Sequence, residues 1–280
     1  MVTLRRTVRF CINPEPPEAP DAGGGLPVMK SPGTAGANGY GGTPPMAGLG
    51  RYYELEIACR GEPDPRTGYL VNIKDIDLAA RAGPIPRLAQ ACRESPTAEP
   101  ARLLPELACA AQAQLRATLL SIRLRLTPTY SVEMQAQEPQ VAVLRQKFDL
   151  AAAHRLHVPS LSDEENRRVF GRCNNASGHG HNYQIEPAVS VWLDGGALYS
   201  VADLERTTQR ALIDPFDHTH LNKDTAVFAE NTGANPSVEN IARVFFEILA
   251  PAVRADSKGA AELRAITVWE TDRTSCTYPG

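Results

Sequence analysis

The sequence predicts an α+β fold of two similar units in tandem, each an antiparallel sheet with two helices on one face. Three observations predict it. Segments with apolar residues at every second position alternate with segments whose apolar residues recur every three to four, the periods of a half-buried strand and of an amphipathic helix. The order strand–strand–helix–helix–strand–strand occurs twice along the 280 residues. The halves also share local wording: Ser95-Pro96-Thr97-Ala98-Glu99, followed by Ala101, Arg102, Leu103 and Leu104, matches Asn235-Pro236-Ser237-Val238-Glu239, followed by Ile241, Ala242, Arg243 and Val244. In each copy Thr97 or Ser237 is expected to cap a helix, with Glu99 or Glu239 meeting the free N–H groups of its first turn.

The elements follow in order. Residues 6–12 form a short strand-like start. Residues 13–50 hold ten Gly and eight Pro among 38 residues and read as a mobile loop or insertion with little to bury. In 52–59, Tyr53, Leu55 and Ile57 share one face of a strand. Pro63-Asp64-Pro65-Arg66-Thr67-Gly68 is a turn, and 69–73 returns as a second strand. Helical pattern covers 76–81 and 101–115, and 119–126 closes the first unit as a strand. The boundary falls near 135–140, giving units 1–136 and 141–280. In the second unit 141–150 and 181–193 read as strands, the latter ending at a turn over Asp194, Gly195 and Gly196. Residues 201–212 form a helix with Asp203 and Glu205 in its first turn. Residues 238–249 form another, with Ile241, Val244, Phe245 and Ile248 on one face. Residues 263–269 and 274–278 are the last strands.

Composition narrows the function classes. A net charge of -3, with 42% apolar and 22% charged residues, belongs to an ordinary globular chain and argues against a strongly electrostatic partner such as nucleic acid. No apolar run is long enough for a membrane-spanning helix, and the arginines near the N-terminus are followed by no signal-peptide core. The six cysteines are scattered with no CxxC pair, so neither a disulfide framework nor a thiolate zinc knuckle is expected, and a reducing cytoplasm is the simplest location.

Histidine carries the sharpest signal. All six lie between 154 and 220, and none precedes His154. In Gly178-His179-Gly180-His181 two imidazoles at i and i+2 project from one face of a strand, and the glycines remove side chains that would crowd an ion. His154, at the end of the preceding strand, can reach the same face. Three protein ligands with an open position is the catalytic zinc pattern, although ligand type alone leaves copper and nickel open. His157 and His220 are read as structural or surface residues, and Cys276 as packing.

Several separated motifs carry a family resemblance. Ala152-Ala153-His154-Arg155-Leu156, Ser160-Leu161-Ser162-Asp163-Glu164-Glu165-Asn166, Val169-Phe170-Gly171-Arg172-Cys173-Asn174-Asn175 and Gly178-His179-Gly180-His181-Asn182-Tyr183 closely resemble the 6-pyruvoyltetrahydropterin synthase and 6-carboxytetrahydropterin synthase family. Asp217-His218, Leu221-Asn222, Glu239-Asn240 and Glu270-Thr271 extend the match, which spans about 141–280. The resemblance implies tunnelling-fold (T-fold) units, whose antiparallel sheets close into a barrel across subunits, and hence a homo-oligomer. It implies a zinc enzyme acting on 7,8-dihydroneopterin triphosphate. His154, His179 and His181 match the zinc ligands; Cys173 matches the catalytic base, activated by a nearby cation or imidazole; Asp217 and His218 match its proton-relay partners. Glu270 matches the pterin anchor, and Ser237 and Glu239 join it as substrate-binding positions.

The expected reaction is elimination of triphosphate to give 6-pyruvoyltetrahydropterin. The alternatives are the 6-carboxytetrahydropterin synthase of queuosine biosynthesis, acting on the same substrate, and a zinc-bearing structural module without turnover. The five residues between Cys173 and His179 favour the pyruvoyl type. Two departures stand out. The Gly-Glu-x-Asp turn of the family is absent after the second unit's zinc strand but present in the first as Gly61-Glu62-Pro63-Asp64. The first unit has no histidine and carries Leu126-Thr127 where the second has Trp269-Glu270, so it reads as a degenerate, non-catalytic copy.

Overall fold

A computed structural model describes residues 1–14, 46, 48–194, 196 and 198–280. The chain forms two compact units, Met1–Ala142 and Val143–Gly280. Most of the Gly/Pro-rich stretch, and Gly195 of the expected Asp194–Gly196 turn, lie outside the described residues.

The first unit contains strands β1 (Val2–Ile12) and β2 (Arg51–Gly61), helices α1 (Ile73–Ala82), α2 (Pro84–Glu94) and α3 (Pro100–Gln112), then strands β3 (Thr118–Arg125) and β4 (Tyr130–Gln135). The four strands run antiparallel in the order β1-β2-β3-β4. Register sets Val8 opposite Leu55, Leu55 opposite Leu124 and Leu124 opposite Val132, so one face carries a continuous buried apolar row. Ile76, Ile85, Leu104 and Leu107 of the helices are buried as well. Arg6 grips Asp77 through two bonds, Nε to Oδ1 at 3.1 Å and Nη2 to Oδ2 at 2.9 Å, tying β1 to α1.

Three expectations fail in this unit. Residues 69–73 form no strand. Gly68 N–H donates to the Asp64 carbonyl at 2.8 Å and Asp64 N–H to that of Tyr69 at 2.9 Å, a closed turn, after which Asn72 caps α1 by accepting from Lys74 N–H at 3.0 Å. Tyr69 stays 64% exposed. The helices number three, because Gly83 breaks the chain between α1 and α2 and Pro84 restarts it. A Cβ at Gly83 would lie 2.5 Å from the Ala110 carbonyl oxygen of α3, so only glycine lets that corner approach. Finally, Thr97 does not cap α3; Glu99 stands at the cap position without a side-chain cap bond.

The second unit runs β5 (Val141–Gln146), β6 (Phe148–His154), α4 (Asp163–Phe170), β7 (His179–Trp192) and α5 (Val201–Thr208). A π-helical turn, Gln209–Ile213, leads into α6 (Asp214–Phe216), β8 (Thr219–His220), α7 (Leu221–Asp224), α8 (Val238–Asp256), β9 (Ala261–Thr271) and β10 (Thr274–Tyr278). The expected strand 141–150 is thus divided at Lys147. β6, β7, β9 and β10 pair antiparallel in that order, β5 lies beside β7, and the short β8 runs parallel to β6. Capping boxes at Ser162/Glu165 and Ser200/Asp203 start α4 and α5, and Ser237 caps α8. Helix α8 buries Ile241, Phe245, Leu249 and Val253 and packs on β9 and β10.

All six cysteines are free thiols, and among the described residues no helix is long and apolar enough to cross a membrane. Phe245 is wholly buried and Leu78 is 65% exposed. Phe245→Ala should therefore cost about 3–5 kcal/mol in urea unfolding, through lost transfer energy and a cavity. Leu78→Ala should stay within about 0.5 kcal/mol of wild type.

Candidate metal centre

The β6–β7 register builds the site. His154 pairs with His179, Ala152 with His181 and Leu150 with Tyr183, so three imidazoles and a phenol stand on one face at the end of the strand pair. The ligand atoms of His154, His179 and His181 all lie within 4.8 Å of one another. His154 Nε2 is 3.1 Å from His179 Nε2, and the His154–His181 and His179–His181 ring centroids are 5.1 and 4.8 Å apart. Gly178 permits the approach: its φ is +73°, and a Cβ there would lie 2.5 Å from His220 Nε2 and 2.9 Å from the His154 carbonyl oxygen. Gly180 is different. It faces the other side of the sheet, and a Cβ there would meet nothing closer than 3.8 Å. The expectation that both glycines clear room for an ion is corrected: Gly178 clears room for His220 and the backbone.

The surroundings fix the state of each ring. His154 is fully buried, and its Nδ1 donates to the Pro236 carbonyl at 2.7 Å, which leaves Nε2 as a lone pair facing the cluster. Burial lowers its pKa to about 4, and the neighbouring His179 and His181 add to the effect. Burial also lowers that of His181, against the pull of Glu270. His181 Nε2 and His179 Nδ1 are buried with no hydrogen-bond partner among the described residues. A buried nitrogen of this kind is costly without a partner, and His181 Nε2 lies in the cluster where a cation could serve as one. Neutral imidazoles with converging lone pairs are the form that ligates a cation, and a three-nitrogen set fits zinc.

The other predicted residues are placed as follows. Glu270, at the end of β9, brings Oε1 to 3.5 Å from His154 Nε2 and 3.6 Å from His181 Nε2. Cys173 lies in the short turn Gly171–Asn174, and the Cys173 carbonyl oxygen accepts from Leu156 N–H at 2.8 Å. Its thiol is pushed up by burial and then by the Glu270 carboxylate. Asp217 and His218 are brought together: Oδ2 is 2.7 Å from Nδ1, and Oδ1 accepts from Ala151 N–H at 2.8 Å, the bond that chiefly lowers the Asp217 pKa. His218 is 83% exposed, sits at φ +56°, and shares with His181 the lining of an open pocket of about 480 Å³. Ser237 accepts from Asn240 N–H, and the Glu239 carboxylate adds to the burial that pushes the Cys276 thiol up. His157 Nδ1 is 3.1 Å from Asn174 Nδ2, while the His220 ring nitrogens are buried against Gly178 with no hydrogen-bond partner among the described residues.

Sequence reasoning missed three features. Tyr183 Oη stands 3.3 Å from His154 Nδ1, and burial drives its pKa up; its signal was the i+2 spacing after His181. The Pro236 carbonyl left no signal, since a backbone group has no residue type. Arg155, Arg167 and Arg172, with Asp163, line a second open pocket of about 750 Å³ that reaches His179.

A family model described as 6-pyruvoyl tetrahydropterin synthase matches residues 143–280. The 6-pyruvoyl tetrahydrobiopterin synthase of Poecilia reticulata is 36% identical over 132 residues, 46% of this chain and 84% of that protein. That of Homo sapiens is 33% identical over 141 residues, 50% of this chain and 92% of that one. The solved Caenorhabditis elegans 6-pyruvoyl tetrahydropterin synthase is 34% identical, with 50% of this chain and 96% of that chain covered at a TM-score of 0.44.

The depressed His154 pKa has a sign that can be checked. Between its usual 6.5 and its folded value of about 4, the unfolded chain binds more protons, so stability falls as pH drops through that window. The urea midpoint of the metal-free protein should therefore decline from pH 6.5 to 4.5, more steeply in wild type than in His154→Gln.

Proposed function

Because the chain belongs to the 6-pyruvoyl tetrahydropterin synthase family, we propose that its second unit converts 7,8-dihydroneopterin triphosphate to 6-pyruvoyltetrahydropterin with loss of triphosphate, using zinc held by His154, His179 and His181. The protein is an enzyme of this lyase type; the substrate, the metal and the residue roles are the proposal. The observation that carries it is the meeting of three imidazoles, two of them kept neutral by burial, with Glu270 and with Cys173 beside that carboxylate.

Zinc supplies Lewis acidity that lowers the pKa of hydroxyls on the substrate side chain. The remaining work falls to the chain. Cys173 takes a proton from the side-chain carbon and returns it. Asp217 holds His218 through Nδ1, which leaves Nε2 of an exposed ring to pass protons outward. Glu270 accepts hydrogen bonds from a ring N–H and the amino group of the pterin. The pocket with Arg155, Arg167 and Arg172 suits a triphosphate tail, since guanidinium groups pair with phosphate oxygens. Ser237 and Glu239 are kept as substrate-binding positions; Ser237 follows the Pro236 carbonyl that orients His154. The first unit, without histidine, is proposed as a non-catalytic tandem copy, and the working form as a homo-oligomer in the cytoplasm.

Full-length protein loaded with zinc and given 7,8-dihydroneopterin triphosphate should yield 6-pyruvoyltetrahydropterin and triphosphate by mass spectrometry. Release of acetaldehyde instead assigns the 6-carboxytetrahydropterin reaction. Cys173→Ala should lower kcat by about 10²–10⁴-fold with zinc content unchanged; equal activity in mutant and wild type removes Cys173 from the mechanism and favours a structural metal site.

A further inference from the structure

The resemblance gives Glu270 to the pterin, yet the fold puts its carboxylate at the imidazoles. Strand β9 pairs with β7 through Gln184 opposite Trp269, and the next step of that register sets Glu270 across from Tyr183, on the face that carries His179 and His181. There Oε1 stands 3.5 Å from His154 Nε2 and 3.6 Å from His181 Nε2. Those distances are too long for hydrogen bonds.

They match something else. A tetrahedral zinc with bonds of about 2.0–2.1 Å separates its ligand atoms by about 3.3–3.4 Å. The His154 Nε2 to His179 Nε2 distance of 3.1 Å and the two Glu270 distances all lie near that edge length. Electrostatics points the same way. Because His154 Nδ1 must donate to the Pro236 carbonyl, His154 Nε2 turns a lone pair toward an anionic carboxylate. Two electron-rich atoms facing each other in a half-buried site repel unless a cation stands between them.

We propose that Glu270 is the fourth ligand of the metal in the resting enzyme, and that substrate displaces it, whereupon the carboxylate turns to the pterin. Glu270 therefore closes the position that three-histidine ligation leaves open and reopens it only when a pterin offers the carboxylate new donors. The ligation stands on the geometry alone; its displacement by a pterin rests on the function proposed above.

Cobalt(II) replaces zinc for the test, because its visible absorption reports coordination. In full-length protein, Glu270→Ala and Glu270→Gln should weaken cobalt binding by about tenfold or more in competition with a chromophoric chelator, and should alter the visible bands. Circular dichroism identical to wild type shows that the fold is kept. Adding 7,8-dihydroneopterin, which has no triphosphate to lose, should shift the wild-type spectrum toward that of Glu270→Ala and leave the mutant unchanged. Equal affinity and equal spectra in wild type and Glu270→Ala overturn the ligation. A wild-type spectrum indifferent to dihydroneopterin overturns the displacement. His179→Ala keeps the metal reading separate: it should abolish cobalt binding, and a wild-type protein that binds no cobalt sinks that reading along with this one.

Discussion

The pairing of β6 with β7 is the constraint on which the site depends. His154 comes from one strand and His179 and His181 from the other, and only the register that sets His154 opposite His179 puts all three on one face. A slip of one residue would turn the pair of histidines on β7 away from His154. Several features hold that register. Leu150 and Tyr183 are buried opposite each other, so a slip would expose core side chains. At the strand's start Gly178, at φ +73°, admits the chain beside His220 and the His154 carbonyl with no room for a side chain. On its far side β6 is bracketed by Asp217 and His218, which bond to both backbone groups of Ala151.

The same packing sets the chemistry. Burial of His154 is unfavourable for a charged imidazole, and the Pro236 carbonyl chooses its tautomer, so Nε2 presents a lone pair at neutral pH. The carboxylate of Glu270 then governs its neighbours in opposite senses. Burial raises the Cys173 and Tyr183 pKa values and Glu270 adds to the rise, while burial lowers that of His181 and Glu270 opposes it. The buried His181 Nε2, with no hydrogen-bond partner among the described residues, is a cost to the fold. Binding a cation there would remove that cost, so metal and fold stabilise one another.

The first unit also carries an antiparallel sheet, and there Arg81 Nη2 is buried with no hydrogen-bond partner among the described residues. Its buried face is a row of aliphatic pairs from Val8 to Val132, and Arg6 of β1 pairs with Asp77 of α1. No histidine interrupts it. Aliphatic packing dominates that buried face, whereas the paired ends of β6 and β7 gather imidazole nitrogens.

The sequence by itself determined the α+β class, most of the strands, the long helix α8 and the grouping of His154, His179 and His181. Period-two and period-3.6 apolar patterns are local properties, and the i, i+2 spacing of His179 and His181 already places them on one side of a strand. It misassigned residues 69–73, omitted α2 and expected a cap from Thr97, because those outcomes were decided by the turn that closes between Asp64 and Tyr69 and by the close approach of Gly83 to α3. It could not find the Pro236 carbonyl, and it gave Glu270 only one role. Both depend on contacts across 82 residues or more. Which groups meet at such separations follows from strand register and loop closure, and these exist only once the chain has folded.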